Sequence, residues 1–162
     1  MPTSRVGVGY DLHRTEPGRR LVLGGVEIPH HAGLVGHSDA DVVLHAICDA
    51  LLGAAALGDI GELFPDSDPK YAGADSRRFI ADVLARVNRA GFTVSNVDVV
   101  IHAQQPRLTP HKPAIRDSLA ELLALPTSAV GVKATTNEGL DAVGRGEAMA
   151  CWAVVLLATQ RS

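Results

Sequence analysis

Residues 5–10 read RVGVGY, an alternation with the two-residue period of a strand that places Gly7 and Gly9 on one face. Paired glycines inside a strand mark a place where other backbone approaches closely. RLVLGGVEIP reads as two short strands around a hairpin turn at Gly24-Gly25, followed by HHAGLVG as loop. The period then changes. Leu44, Ile47, Cys48, Leu51 and Ala55 form one helical stripe, and Ser38 with Asp41 has the S-x-x-[DE] spacing of a capping box at its start. GDIGELFPDSDPKYAGADS is rich in Gly, Pro and Asp and predicts a long loop, a kind usually functional or mobile. A second helix is expected over about 75–90, a strand at FTVSNVDVVIHAQ, and a third helix after Thr109-Pro110. AVGVKAT and AMACWAVVLLAT close the chain as strands. These elements predict an α+β fold, a mixed β-sheet with helices packed on one face. The expected organisation is a single domain over residues 1–162 with a core of about 5–158.

The chain has 162 residues, enough for a core without staples, and 46% of them are hydrophobic. Only 4% are aromatic, so Val, Leu and Ala must do most of the packing. A formal net charge of −3 argues against a nucleic-acid-binding surface but leaves room for a phosphorylated small molecule met by local cations. Cys48 and Cys151 sit among apolar neighbours and read as buried free thiols. The start MPTSRVGVGY lacks the charged and apolar regions of a signal peptide. The longest apolar run, Ala148–Ala158, falls well short of the ~20 residues of a spanning helix. A soluble cytoplasmic protein without a membrane partner is expected.

GYDLHR carries the first chemistry: Asp11 and His13 are two apart and point the same way from a strand. His45 lies on the predicted first helix between Asp41 and Asp49, in an i, i+4, i+8 series. One Asp and two His suit a catalytic Zn²⁺ with an open fourth position, with Asp49 available to accept a ring N–H. A capped helix with a solvated acidic face and a hydrogen-bonded histidine accounts for the same residues. The ligand set also matches non-haem iron oxygenases, but those sites usually read H-x-[DE]…H on an all-β fold. G-x-S-x-G, P-loop and G-x-G-x-x-G motifs are absent. Ser38 beside His37 reads as a helix cap. VKATTNEG offers Lys133, two hydroxyls and Glu138 for an anion or Mg²⁺, and VGRGE sets Arg145 between glycines; a strand-ending turn with solvated charge explains either one. His30, His31 and His111 read as surface or helix-start residues, and Arg77, Arg78, Arg86 and Arg89 as a solvated helix face.

Taken together, GYDLH, GLVGHSDADVVLHAICDALLGAAALGDIGELFPDSDP, GADS, NVDVVIHAQQPRLTPH and VKATTNEGL…GRGE resemble the 2-C-methyl-D-erythritol 2,4-cyclodiphosphate synthase family of the non-mevalonate isoprenoid pathway. The resemblance covers residues 5–158 in the family's order and spacing, and the HSDADVVLHAICDALLGAAALGDIG segment is very specific. It implies a homotrimer with active sites between subunits, converting 4-diphosphocytidyl-2-C-methyl-D-erythritol 2-phosphate into the cyclic diphosphate plus CMP. In that pattern Asp11, His13 and His45 hold Zn²⁺. His37 and Ser38 face the substrate, and His37 and Thr136 assist the transition state. Asp59, Ile60 and Gly61 touch the sugar, and Phe64, Pro65, Asp66, Ser67 and Asp68 belong to a mobile loop over it. Ala103, Gln104, Gln105, Pro106, Arg107, Leu108 and Thr109 form the cytidine pocket. Thr135, Thr136, Asn137 and Glu138 meet the diphosphate and a second divalent ion, Mg²⁺ or Mn²⁺, with Ala142 and Arg145 completing the substrate contacts. The substrate's own 2-phosphate is the nucleophile, which accounts for the missing serine or cysteine. Catalysis is then positioning and charge neutralisation, with Lys133 and Arg145 contributing to the local positive field.

The chain departs from the pattern in two places. Asp141-Ala142 stands where Gly-Phe or Gly-Leu is common, which affects the cavity near the trimer axis. Arg107 stands where lysine is frequent, and Trp152 on the last strand fits either core or cavity lining. Two other classes share the motifs: a metal-dependent phosphohydrolase using bound water, and a non-catalytic trimeric binding module. Labelled solvent oxygen in the product, or ligand binding without turnover, would identify them.

Overall fold

The computed structural model describes residues 3–160, so the outermost residues of the expected 1–162 domain lie outside the described ones. The alternation that begins at residue 5 continues far beyond Tyr10. Strand β1 spans Ser4–Pro17, so Asp11 and His13 lie inside it rather than at its end. The polar side chains of its second half hide the period without breaking it. β2 (Leu21–Leu23) and β3 (Val26–Ile28) form the hairpin expected around Gly24-Gly25. The following segment is not all loop: Ala32–Leu34 is a third short strand, β4, paired antiparallel with the far end of β1. Three residues are too few to show a period.

β5 (Phe92–His102), β6 (Val130–Thr135) and β7 (Ala148–Thr159) complete a five-stranded sheet of order β4-β1-β7-β5-β6. β7 runs antiparallel to both β1 and β5, whereas β5 and β6 are parallel. The sheet is mixed, as expected, and β1, β5 and β6 all point their C-terminal ends the same way.

Helix α1 (Val42–Ala55) is buried nearly all round and lies on β1 and β7. Gly7 and Gly9 make that approach possible: a methyl group at either would overlap a carbonyl oxygen of α1, that of Ala50 or of Ala46. The expected stripe of Leu44, Ile47, Cys48, Leu51 and Ala55 is buried. The cap, however, is Asp41 rather than Ser38. Its Oδ1 accepts from Val43 N–H and Leu44 N–H, both at 3.1 Å. The same carboxylate accepts from Gly24 N–H at 2.9 Å and Gly25 N–H at 2.7 Å, tying the hairpin to the helix. Ala40, with φ of 57°, turns the chain between Ser38 and the helix and removes Ser38 from capping range.

The long segment before the next helix is not structureless. It holds α2 (Ile60–Leu63) and a single 3₁₀ turn at Pro69–Tyr71. α3 (Arg77–Arg89) and α4 (Lys112–Leu123) follow as expected and share one core with α1. Helices occupy one sheet face with one exception. The short α5 (Asp141–Gly144) packs Val143 against Ala148 and Ala150 on the opposite face. Elsewhere that opposite face is bare and apolar, with Val6 68%, Val8 60%, Trp152 45% and Val154 44% exposed. Cys48 and Cys151 are free and buried, and burial raises both thiol pKa values.

Candidate metal centre and substrate cavities

Asp11 and His13 follow Gly7 and Gly9 on the helix-facing side of β1, and α1 runs antiparallel to the strand. Two strand residues advance ~6.7 Å and four helix residues ~6.0 Å. Gly7 therefore meets Ala50 and Gly9 meets Ala46, and Asp11, the next residue on that strand face, reaches His45, the neighbour of Ala46 in α1. The close approach of strand and helix at the two glycines sets Asp11 and His13 beside His45.

Three donor atoms converge there. His13 Nε2 lies 2.9 Å from Asp11 Oδ2, His45 Nδ1 lies 3.1 Å from the same oxygen, and the two nitrogens are 3.1 Å apart. These separations approach the ~3.3 Å edge of a tetrahedron with ~2.0–2.1 Å metal–ligand bonds. Among the described residues this is the one group of three or more His, Cys, Asp or Glu able to hold a metal ion. His13 Nδ1–H donates to the Val35 carbonyl at 2.8 Å, which leaves Nε2 as the free lone pair. Burial alone would raise the Asp11 pKa, but hydrogen bonds from His13 and His45 hold it well below the usual carboxylate range. Burial disfavours a charged His13 ring, yet the Asp11 carboxylate outweighs it and the ring sits above its ordinary value. One carboxylate oxygen and two ring nitrogens thus converge on one point, the donor chemistry a divalent cation requires.

Asp49 does not serve His45. Its Oδ1 accepts from Ile60 N–H at 2.8 Å, anchoring α2, and burial raises its pKa. The His45 Nε2 side instead meets two serine hydroxyls, Ser76 at 2.9 Å and Ser38 at 3.1 Å. Ser76 was invisible to sequence reasoning because it falls at the loop–helix junction with no spacing relation to His45.

A cavity of about 390 Å³ opens beside the donors, lined by His37, Ser38, Ile60, Gly61, Phe64 and Asp66 among others. Phe64 is buried, stacked on Phe79 at 4.5 Å between centroids and edge-on to Tyr71 at 5.4 Å, which anchors this wall. His37 Nε2–H donates to the Asp68 carbonyl at 3.0 Å. Asp59 caps α2 by accepting from Glu62 N–H, while Pro65 and Ser67 are exposed on the loop between. Asp68 pairs with Lys70 at 2.8 Å.

The remaining expected residues are elsewhere. Ala103, Gln104, Gln105, Pro106, Arg107, Leu108 and Thr109 line a second cavity of about 690 Å³ with Thr135 and Thr136, at the C-terminal ends of β5 and β6. This second cavity and the metal-side cavity share no lining residue, so His37 and Thr136 stand in different cavities. Arg145 lines a third cavity, and Ala142 faces the open side of the sheet with Leu12, Tyr10 and Trp152. Asn137 accepts from His102 Nδ1–H at 2.8 Å and donates to Asp141 Oδ2 at 2.9 Å. Glu138 is exposed and belongs to no second donor group among the described residues. Two expected cations are already paired: Lys133 with Asp98 at 2.6 Å, and Arg145 with Glu147 at 3.0 Å. Arg107 makes no ion pair among the described residues.

The family model described as "YgbB family" matches residues 4–158. The chain belongs to the YgbB family. Its relatives include the 2-C-methyl-D-erythritol 2,4-cyclodiphosphate synthase of Syntrophomonas wolfei, 58% identical over 94% of this chain and 98% of that protein. The protein of the same name from Gloeobacter violaceus is 60% identical, over 94% of each. Among solved YgbB-like structures, the bifunctional IspDF of Campylobacter jejuni superposes with a TM-score of 0.95 at 41% identity, over 99% of this chain and 43% of that longer one. A 2C-methyl-D-erythritol-2,4-cyclodiphosphate synthase in a CDP-bound form gives 0.88 at 42% identity, over 94% of this chain and 99% of that one.

Proposed function

We propose that this chain is a 2-C-methyl-D-erythritol 2,4-cyclodiphosphate synthase, cyclising 4-diphosphocytidyl-2-C-methyl-D-erythritol 2-phosphate with release of CMP. The observation that carries the reading is the Asp11, His13 and His45 donor set in a chain 58–60% identical to synthases across 94% of its length. Asp11, His13 and His45 hold Zn²⁺ in this reading, and Glu138 contributes to Mg²⁺ or Mn²⁺. A lone carboxylate suits Mg²⁺, which takes its other ligands from water and substrate phosphate. When bound, the metals polarise phosphoryl oxygens as Lewis acids.

The chain's own part is positional. A phosphate is ionised at neutral pH, so attack of the 2-phosphate oxygen on the β-phosphorus needs alignment rather than a strong base. His37 and Ser38 lie beside the donors to orient the diphosphate, and Asp59, Ile60 and Gly61 meet the sugar. Phe64, Pro65, Asp66, Ser67 and Asp68 flank it. The cavity from Ala103 to Thr109 takes the cytidine, with Thr135, Thr136, Asn137, Ala142 and Arg145 toward the phosphates. Arg107, free of a carboxylate partner, supplies a cation there that Lys133 and Arg145 do not.

These groups occupy separate cavities on one chain, which supports a site completed between copies. The apolar open face of the sheet, running through Val6, Val8, Tyr10, Leu12, Trp152 and Val154, supports a homotrimer closed about it. Among the described residues no helix is long and apolar enough to cross a membrane. Free buried thiols fit the proposed cytoplasmic setting.

The test is ³¹P NMR of the purified protein with the cytidine-linked substrate and Mg²⁺, with and without a zinc chelator. CMP and a cyclic diphosphate should appear, vanish on chelation and return with Zn²⁺. An open-chain phosphate, or unchanged substrate with zinc-loaded protein, overturns the reading.

A further inference from the structure

Ser76 stands immediately before α3, where a serine hydroxyl ordinarily accepts a backbone N–H of its own helix. It makes no such bond. The side chain is fully buried, lies 2.9 Å from His45 Nε2 and donates its hydroxyl proton to Asp39 Oδ1. The Ser76 N–H donates to the other oxygen of Asp39 at 3.1 Å, and Asp41 N–H donates to Asp39 Oδ1 at 3.2 Å. Asp39 N–H in turn donates to the Ala74 carbonyl at 2.9 Å. The carboxylate is therefore fixed from both sides, by the turn leading into α1 and by the residues leading into α3.

The two ring nitrogens of His45 have separate surroundings. Nδ1 faces Asp11 and His13, and Nε2 faces hydroxyls. A neutral imidazole carries one N–H, so a metal-ligating Nδ1 requires the proton on Nε2 and an acceptor for it. A hydroxyl accepts reliably only when its own hydrogen is directed elsewhere. Asp39, acceptor-only when ionised, gives the Ser76 hydrogen that direction. Ser38 is the poorer candidate: its oxygen is 3.1 Å from Nε2, and its contact with Ser76 Oγ is 3.4 Å.

We propose that Ser76 and Asp39 are positioning residues for the metal ligand His45, forming an Nε2–H···Oγ–H···carboxylate chain that fixes the ring's tautomer and aims Nδ1 at the metal. This rests on the metal-centre reading above. Nothing reacts in the chain: each proton stays on its donor atom. The ring is thereby held from behind by α3, just as His13 is held by the Val35 carbonyl.

The test uses the full chain. Zn²⁺ affinity is measured by competition with a chromophoric chelator for wild type, Ser76→Ala, Ser76→Thr, Asp39→Asn and His45→Ala. In parallel, long-range ¹H–¹⁵N correlation on histidine-labelled, zinc-loaded wild type reads the His45 tautomer. The expected result is a metal-bound Nδ1 with protonated Nε2, and affinity lowered ~10–100-fold in Ser76→Ala and Asp39→Asn. Ser76→Thr, which keeps the hydroxyl, retains most of the affinity. Wild-type affinity in both Ser76→Ala and Asp39→Asn, or an Nε2-bound metal, overturns the proposal. The tautomer measurement needs no variant and decides even where a substitution prevents folding. Failure of the underlying reading looks different: wild type then binds no Zn²⁺, or binds it equally with His45→Ala.

Discussion

The two faces of the sheet are built on opposite principles. On the helix side, Gly7 and Gly9 remove side chains so that backbone meets backbone, and α1 covers that stretch from within the chain. One residue away on the same strand, Val6 and Val8 carry branched apolar side chains into solvent. The first face is covered by the chain's own helix and holds the donor set; the second is left apolar and uncovered. Tolerance to substitution should therefore differ sharply between neighbours in sequence.

The largest contrast is expected at Gly9. Gly9→Ala drives a methyl into the Ala46 carbonyl and should cost about 4 kcal/mol or more, or abolish folding. Val8→Ala should change the isolated chain's stability by no more than about 0.5 kcal/mol. Chemical denaturation of both variants checks this, and equal effects would break the comparison.

Next is His45→Ala, which should lose Zn²⁺ and reduce turnover ~10²–10³-fold while leaving the proposed trimer intact by sedimentation. Val8→Glu is its mirror image. A charge on the open face should dissociate the assembly at a cost of several kcal/mol, with Zn²⁺ still bound by the separated chains. Loss of metal in Val8→Glu would show that the two faces are coupled.

A smaller effect than at Gly9 is expected at Asp41, which ties hairpin to helix while wholly buried. Burial pushes its pKa from 3.8 up to about 6 against the four N–H groups it accepts. The folded chain thus keeps a proton that the unfolded chain releases near 3.8. Its stabilising contribution is fullest below that value and is lost as pH rises through 6. Asp41→Asn should cost about 2 kcal/mol at pH 4, with the gap to wild type narrowing toward pH 6. A gap that widens with pH would show the N–H groups outweighing burial.

Much of the metal centre was legible because it is periodic. Asp11 and His13 share a strand face, and His45 sits on a helix whose apolar stripe is plain. What escaped was aperiodic. β1 ran on to Pro17 because its later positions are polar on both faces, and β4 is too short to show a period. Ser38 looked like the cap because the sequence does not reveal the left-handed turn at Ala40, which hands that role to Asp41. Asp39 and Ser76 are brought together across a loop, and no local signal joins them. The resemblance implied active sites between subunits, but spacing alone did not reveal which of the expected substrate residues line the same cavity.

The tilted aromatic pair Tyr10 and Trp152, 4.5 Å between centroids, has a spectroscopic consequence. Trp152 is the sole tryptophan of the chain and lies half-exposed on the open sheet face. Its emission consequently reports one place only, the face on which the trimer is proposed to close. Association there removes the indole from water and shifts its fluorescence to the blue, so the chain carries its own optical probe of assembly.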